Sequence, residues 1–167
     1  MAKKSVLFLS IANIFLLALG WAMAIFAYPR LPLKMPLWIN FLNQPTLYMQ
    51  KSALFFLYPL VQLLFCVGFW SLLNRRGIDQ TRNHFPHDAG MKNALLRLRK
   101  EYVLLALIFF NLIFIHLQRS LILLSHGIEK GVSEYYFFSL FGIILILIPY
   151  YRIRKRMIVK GWSTKNM

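Results

Sequence analysis

The sequence of 167 residues is poor in the groups that most catalytic and redox chemistry needs. It has a single cysteine, Cys66, so no intramolecular disulfide can form. That residue lies inside an apolar run, where a small buried hydrophobe is expected rather than a reactive thiol. Acids number only 5, against 20 lysines and arginines. None is central in an apolar run, so the carboxylate that proton-coupled pumping uses is missing. There is no glycine-rich phosphate loop, no paired-histidine zinc helix and no nucleophile elbow. His84, His87 and Asp88 lie around Pro86 and lack a dependable fourth ligand, which argues against a zinc site there. The chain is therefore expected to be no enzyme and to need no metal or cofactor.

What is abundant is hydrocarbon. The composition is 59% hydrophobic with a mean hydropathy of +0.56, where a soluble domain runs at about 45–50% apolar. A water-soluble fold of this length buries only about 70% of its surface and has no room for so many Phe, Leu and Ile side chains. Four apolar runs are long enough to cross roughly 30 Å of hydrocarbon, which takes about 20 helical residues. They extend from Ser5 to Tyr28, Ser52 to Leu73, Tyr102 to Leu124 and about Val132 to Tyr151. In lipid each must be helical, since an open strand edge leaves polar backbone groups unpaired. The first run, with Lys3 and Lys4 before it and Ala22-Met23-Ala24 within it, has some marks of a signal peptide. Its apolar core is too long for one, and an uncleaved anchor is expected.

Charge sets the orientation. The net charge is +15, but the cations sit in patches between apolar spans, which points to anionic lipid rather than to nucleic acid. The amino end, the loop 74–101 and the tail 152–167 together hold 15 basic residues. The other side holds Arg30, Lys34, Lys51 and Lys130, and Arg119 lies within the third run. Basic residues stay on the cytoplasmic side. The expected fold class is thus an all-α membrane protein, one domain of residues 1–167, a four-transmembrane-helix bundle with both termini inside. Trp70, Tyr102, Tyr150 and Tyr151 mark its inner edge, and Tyr28, Trp38, Tyr48, Tyr135 and Tyr136 its outer edge. Within the loop, Asp88 is placed to cap a helix from Ala89 whose apolar side is Met91, Leu95, Leu96 and Leu98, either a cytoplasmic extension of the third helix or a short surface helix.

The candidate functional residues fall in two places. The third run carries Asn111, His116, Gln118 and Arg119. At 100° per residue Asn111 and Gln118 share a line, with His116 and Arg119 on an adjacent face. The first run offers Asn13 and the second Gln62 as polar partners for this set; Asn13 lies near the inner side and so suits Asn111, and Glu134 is the acid placed for Arg119. Gly20, Ala24 and Ala27 form a small-residue stripe. Pro59 and Pro149 are expected to kink their helices.

The second place is the outer loop 28–51, where Pro29, Pro32, Pro36 and Pro45 forbid a regular helix in an otherwise apolar, aromatic stretch. Such a loop is expected to pack on the mouth of the bundle or dip into the headgroups. Leu31-Pro32, Pro36, Asn40, Pro45, Tyr48 and Lys51 follow one another between two helices in an order that resembles the N-terminal membrane domain, of unassigned function, of SdpI-type toxin-immunity proteins. The resemblance covers about residues 10–70. Trp38 stands where that family usually has histidine, Asn43 replaces a glycine and Thr46 an acid. The resemblance implies a multi-pass protein of the bacterial inner membrane related to immunity or envelope signalling. Its expected partners are the bilayer, anionic lipid at the basic segments, and a membrane-active peptide or another membrane protein; a homo-oligomer is left open. Trp38, Asn40 and Lys51 in the loop, with Asn111, His116 and Arg119, are the candidate binding residues. A small transporter or exporter subunit using the polar face of the third helix is the alternative.

Overall fold

The computed structural model describes residues 2–39, 45–82, 89–129 and 134–163. Four long helices dominate it: α1 (Ala2–Ala27), α2 (Leu57–Arg82), α3 (Ala89–Ser125) and α4 (Glu134–Ser163). Among the described residues three stretches are long and apolar enough to cross a membrane, Lys4–Arg30, Ala53–Ser71 and Gly90–Ser125. Their outward faces carry bare hydrocarbon: Phe8 is 70% exposed and Phe26 73% exposed. Exposed apolar surface on this scale is what lipid, not water, covers.

α3 is the hub, touching α1, α2, α4 and the outer loop. Side-chain contacts fix the directions. Ser5 meets Glu101, Asn13 meets Asn111, Gly20 meets Gln118 and Arg30 meets His126. The pairs ascend together, so α1 and α3 run parallel. Phe65 packs on Phe114 and Phe69 on Phe110, so α2 runs the other way. His116 meets Tyr136 while Tyr102 meets Tyr151, so α4 is also antiparallel to α3. The start of α1 and the end of α4 therefore lie at the same end of the bundle. There Glu101 accepts a hydrogen bond from the Ser5 hydroxyl and lies 3.9 Å from Arg154, which ties three helices with one acid.

Helices run past the apolar spans at that end. At 1.5 Å per residue the 37 residues of α3 extend about 55 Å, well beyond the hydrocarbon thickness. The helix expected from Ala89 is thus a continuous extension of α3, with Leu95 and Leu98 buried; Asp88, its expected cap, lies outside the described residues, as do His84 and His87. α2 likewise continues to Arg82, and the basic tail is the continuation of α4 to Ser163. At the opposite end α3 stops in a Schellman turn. Gly127 takes φ 69°, its N–H bonds Leu124 O at 3.0 Å, and Ile128 N–H bonds Leu123 O at 3.0 Å.

The fold is mostly helical as expected, with two departures. The loop between α1 and α2 is not irregular throughout but holds an antiparallel hairpin of β1 (Lys34–Ile39) and β2 (Pro45–Gln50). Its prolines are compatible with strands because both strands are edges. Pro45 opens β2, and the register slips after Pro36, where a missing N–H would otherwise break the ladder. Nor does Pro59 interrupt a helix. A 3₁₀ turn, Ala53–Phe56, precedes α2, and its cap Ser52 accepts from Leu54 N–H at 3.3 Å. Pro59 then falls in the first turn of α2, where a missing N–H costs nothing. Pro149 does lie inside α4, which continues through it.

Candidate functional site

Polar side chains from three helices meet in the middle of the bundle. Asn13 on α1 donates to the Leu9 and Leu104 carbonyls at 2.9 and 3.0 Å. Asn111 on α3 donates to Asn13 Oδ1 at 2.9 Å and accepts from Gln62 Nε2 of α2 at 3.1 Å. The Cys66 thiol also points at Asn111 Oδ1, 3.5 Å away. Two turns further out, Gln118 Nε2 donates to Gly20 O at 3.1 Å. Asn111 and Gln118 are each 1% exposed and Gln62 is fully buried. In hydrocarbon such side chains join helices because no water competes for them.

Gly20 is where the two layers of this clamp touch. A Cβ there would run into Gln62 Oε1, an oxygen that is buried without a hydrogen-bond partner among the described residues. With no Cβ at Gly20, Gln62 can lie close against the α1 backbone, as small residues permit where helices meet. Of the small-residue stripe, Gly20 and Ala24 are fully inside.

Above the clamp is an aromatic seat for the hairpin. Ala24, Leu31, Met35 and Phe55 form a buried cluster, with Tyr28, Phe56 and Ile122 packed on it. Tyr28 lies 5.1 Å from Phe56, and Trp21 stacks on Phe56 at 6.3 Å. Met35, 1% exposed, is the peg by which β1 enters this seat. Lys51 locks the other strand: its ammonium donates to Pro29 O at 2.9 Å and lies 5.1 Å over the Tyr28 ring, while its N–H bonds Leu33 O at 2.8 Å. His126 fastens the neighbouring end of α3, with Nδ1 2.8 Å from Ile122 O and Nε2 3.1 Å from Arg30 O. The hairpin is held from beneath while Leu33, Tyr48 and Leu47 stay exposed, at 82%, 53% and 49%.

Replacing Lys51 by Met removes the ammonium's hydrogen bond and its cation–π contact together. The expected loss is about 1–2 kcal/mol, seen as faster hydrogen exchange at the hairpin amides with α3 unchanged. Equal exchange in both proteins would show that the ammonium holds nothing.

The six sequence candidates thus separate. Asn111 is the centre of the clamp. His116 is buried on a different face, its ring 4.2 Å from that of Tyr136 on α4. Arg119 is largely exposed and lies 3.6 Å from Glu129. That acid was not foreseen; it is brought back by the turn at Gly127, and the side chain of Glu134 lies outside the described residues. Lys51 is a fastening of the hairpin rather than a free contact point. Trp38 sits in β1 opposite Leu47, with its side chain outside the described residues, and Asn40 lies outside them altogether. Among the described residues no three of His, Cys, Asp or Glu converge on a metal position. Glu101, Met35, Phe55 and His126 escaped sequence reasoning. Phe55-Phe56 beside Ser52 was the one local signal for the seat.

Comparison with protein families matches residues 15–63 to a domain of unknown function, DUF1648. The matched segment runs from the middle of α1 through the hairpin to the first turns of α2, so it contains Gly20, Gln62, the aromatic seat and both strands. No curated protein and no solved structure matches the chain.

Proposed function

We propose that this chain is a non-enzymatic protein of the bacterial cytoplasmic membrane, with four spans and both termini inside, that recognises a membrane-active peptide or another membrane protein through its outer hairpin. The observation that carries the reading is the seated hairpin. Met35 and Lys51 fix it to the bundle, and Leu33, Leu47 and Tyr48 face outward. A surface held in one shape before binding loses little ordering entropy on contact. An outer strand edge adds the option of pairing with an extended peptide, main chain to main chain. The excess of cations at the end holding both termini supports the orientation. The order of loop residues shared with SdpI-type proteins supports an immunity-like role.

The transporter alternative has less support. Asn111, Gln62 and Gln118 are paired with one another and with backbone carbonyls, which suits a helix clamp better than a wetted path.

The test is in cells lacking the gene, challenged with a panel of membrane-active peptides. Loss of the gene is expected to sensitise cells to at least one of them, and the wild-type gene to restore resistance. The doubles Trp38→Ala/Asn40→Ala and Leu47→Ala/Tyr48→Ala are expected to reach the membrane at normal levels and fail to restore it. Full rescue by both doubles would remove the hairpin from the mechanism.

A further inference from the structure

Two consecutive carbonyls at the root of the hairpin are each met by a basic side chain, and only one of those side chains is always charged. In the 3₁₀ turn Tyr28–Arg30, the Leu31 N–H bonds the Ala27 and Tyr28 carbonyls at 3.1 and 3.3 Å. The next two carbonyls go to side chains. Pro29 O accepts from the Lys51 ammonium at 2.9 Å, and Arg30 O lies 3.1 Å from Nε2 of His126. The other nitrogen of that ring, Nδ1, lies 2.8 Å from Ile122 O.

A carbonyl oxygen only accepts. A ring with a carbonyl at each nitrogen makes both bonds only when both nitrogens carry protons, that is, as imidazolium. The neutral ring has one N–H, and its other nitrogen then turns a lone pair toward an oxygen at contact distance. Water cannot relieve that opposition, so the neutral ring leaves one of the two carbonyls. The position adds a second preference for the cation. Ile122 O is among the last four carbonyls of α3, which ends at Ser125, and that end of a helix favours positive charge. The charged groups around the root are Arg30, Lys34 and Lys51 on the hairpin side, and Arg119 and Glu129, 3.6 Å apart, on the α3 side. Among the described residues no carboxylate lies within ion-pairing distance of the ring. The three hairpin cations oppose a further charge, but His126 is exposed and salt screens such repulsion. The carbonyls act at hydrogen-bond distance.

We infer that His126 is a proton-operated latch on the hairpin root. As a cation it ties the end of α3 to Arg30 O; on losing its proton it keeps the shorter, local bond to Ile122 O and releases Arg30. Imidazole ordinarily changes charge between about pH 5 and 8. The root is therefore tightest below that range and loosens as pH rises through it. Lys51 holds Pro29 O throughout, so the hairpin is loosened and not set free. The latch rests on these contacts alone. Its use, regulation of recognition by the pH outside the cell, rests on the function proposed above.

The test uses the full-length protein in detergent, without any peptide, at about pH 5.5 and about pH 8, either side of the imidazole range. The first readout is the ¹⁵N chemical shifts of the His126 ring, assigned by their loss in His126→Gln. Both nitrogens are expected to carry protons at the lower pH, and only Nδ1 at the higher. The second is hydrogen exchange at the amides of β1 and β2, expressed as protection factors so that the intrinsic effect of pH cancels. Protection is expected to fall roughly three- to tenfold on going to the higher pH, the worth of one hydrogen bond. His126→Gln should hold the lower protection at both pH values, and His116→Gln should keep the wild-type fall. A neutral ring at the lower pH, equal wild-type protection at both, or the same fall in His126→Gln would overturn the latch. So would loss of the fall in His116→Gln. Failure here leaves peptide recognition by the hairpin standing, and failure of that recognition in cells leaves the latch standing.

Discussion

Replacing Asn111 by leucine is expected to be among the most damaging substitutions in the chain, although volume and hydrophobicity both favour it in a membrane. It strips Asn13 Oδ1 of its donor at 2.9 Å and Gln62 Nε2 of its acceptor at 3.1 Å in one step. Both groups stay buried. Inter-helix hydrogen bonds in membranes are worth about 0.6 kcal/mol on average and up to about 1.7. Two lost bonds, with Asn13 Oδ1 left unpaired and Gln62 Nε2 left with only its 3.5 Å bond to Leu16 O, cost about 2–3 kcal/mol. For a chain of this size that lowers the thermal midpoint in detergent by roughly 4–12 °C. Arg119→Gln, which breaks a largely exposed ion pair, is the contrast, with an expected change within about 0.5 kcal/mol. The pairing also sets a non-additivity. In an Asn13→Leu background, Asn111→Leu should cost clearly less than in the wild type, because the bond between them is already gone. Equal cost in both backgrounds would mean that the two side chains do not act through each other.

Gly20→Ala is the second large effect, and its sign depends on one neighbour. A methyl group there collides with Gln62 Oε1. Gln62 is long and able to swing aside, but doing so surrenders its bonds to Asn111 Oδ1 and, at 3.5 Å, to Leu16 O. The expected cost is about 1–3 kcal/mol, in the range of overpacking a filled interior. With Gln62→Ala already in place the obstacle is removed. Alanine is then the better helix former by about 1 kcal/mol, so Gly20→Ala should become stabilising. The check is thermal unfolding of all four proteins in one detergent. A Gly20→Ala variant that unfolds like the wild type would show that the α1–α2 approach is looser than the geometry implies.

The parts of this molecule that sequence made legible are those where a single force dominates. Four apolar runs announce helices because lipid permits nothing else for an unpaired backbone. The meeting of Asn13 and Asn111 was readable because depth along a helix is set by residue count; that Gln62 joins them at Asn111 Oδ1 came only from the structure. What was not readable depends on several weak effects acting together. The hairpin hides behind prolines that would spoil an inner strand but not an edge. The start of α2 at Leu57 rests on the Ser52 cap and a 3₁₀ turn, which moves Pro59 from mid-helix to first turn. The partner of Arg119 depends on a left-handed glycine that reverses the chain after α3. Helix length beyond the hydrocarbon was also invisible to hydropathy, since the extensions of α2, α3 and α4 are basic and only partly apolar.

The proposed recognition role depends on the hairpin being presented on the outer face of a membrane bundle, with the basic helix ends inside. The direct measurement is labelling of single cysteines in intact cells by a membrane-impermeant maleimide, in a Cys66→Ala background. Leu33→Cys and Tyr48→Cys are expected to label before lysis, and Met157→Cys only after it. Labelling of Met157→Cys in intact cells while both hairpin positions stay protected would contradict the arrangement.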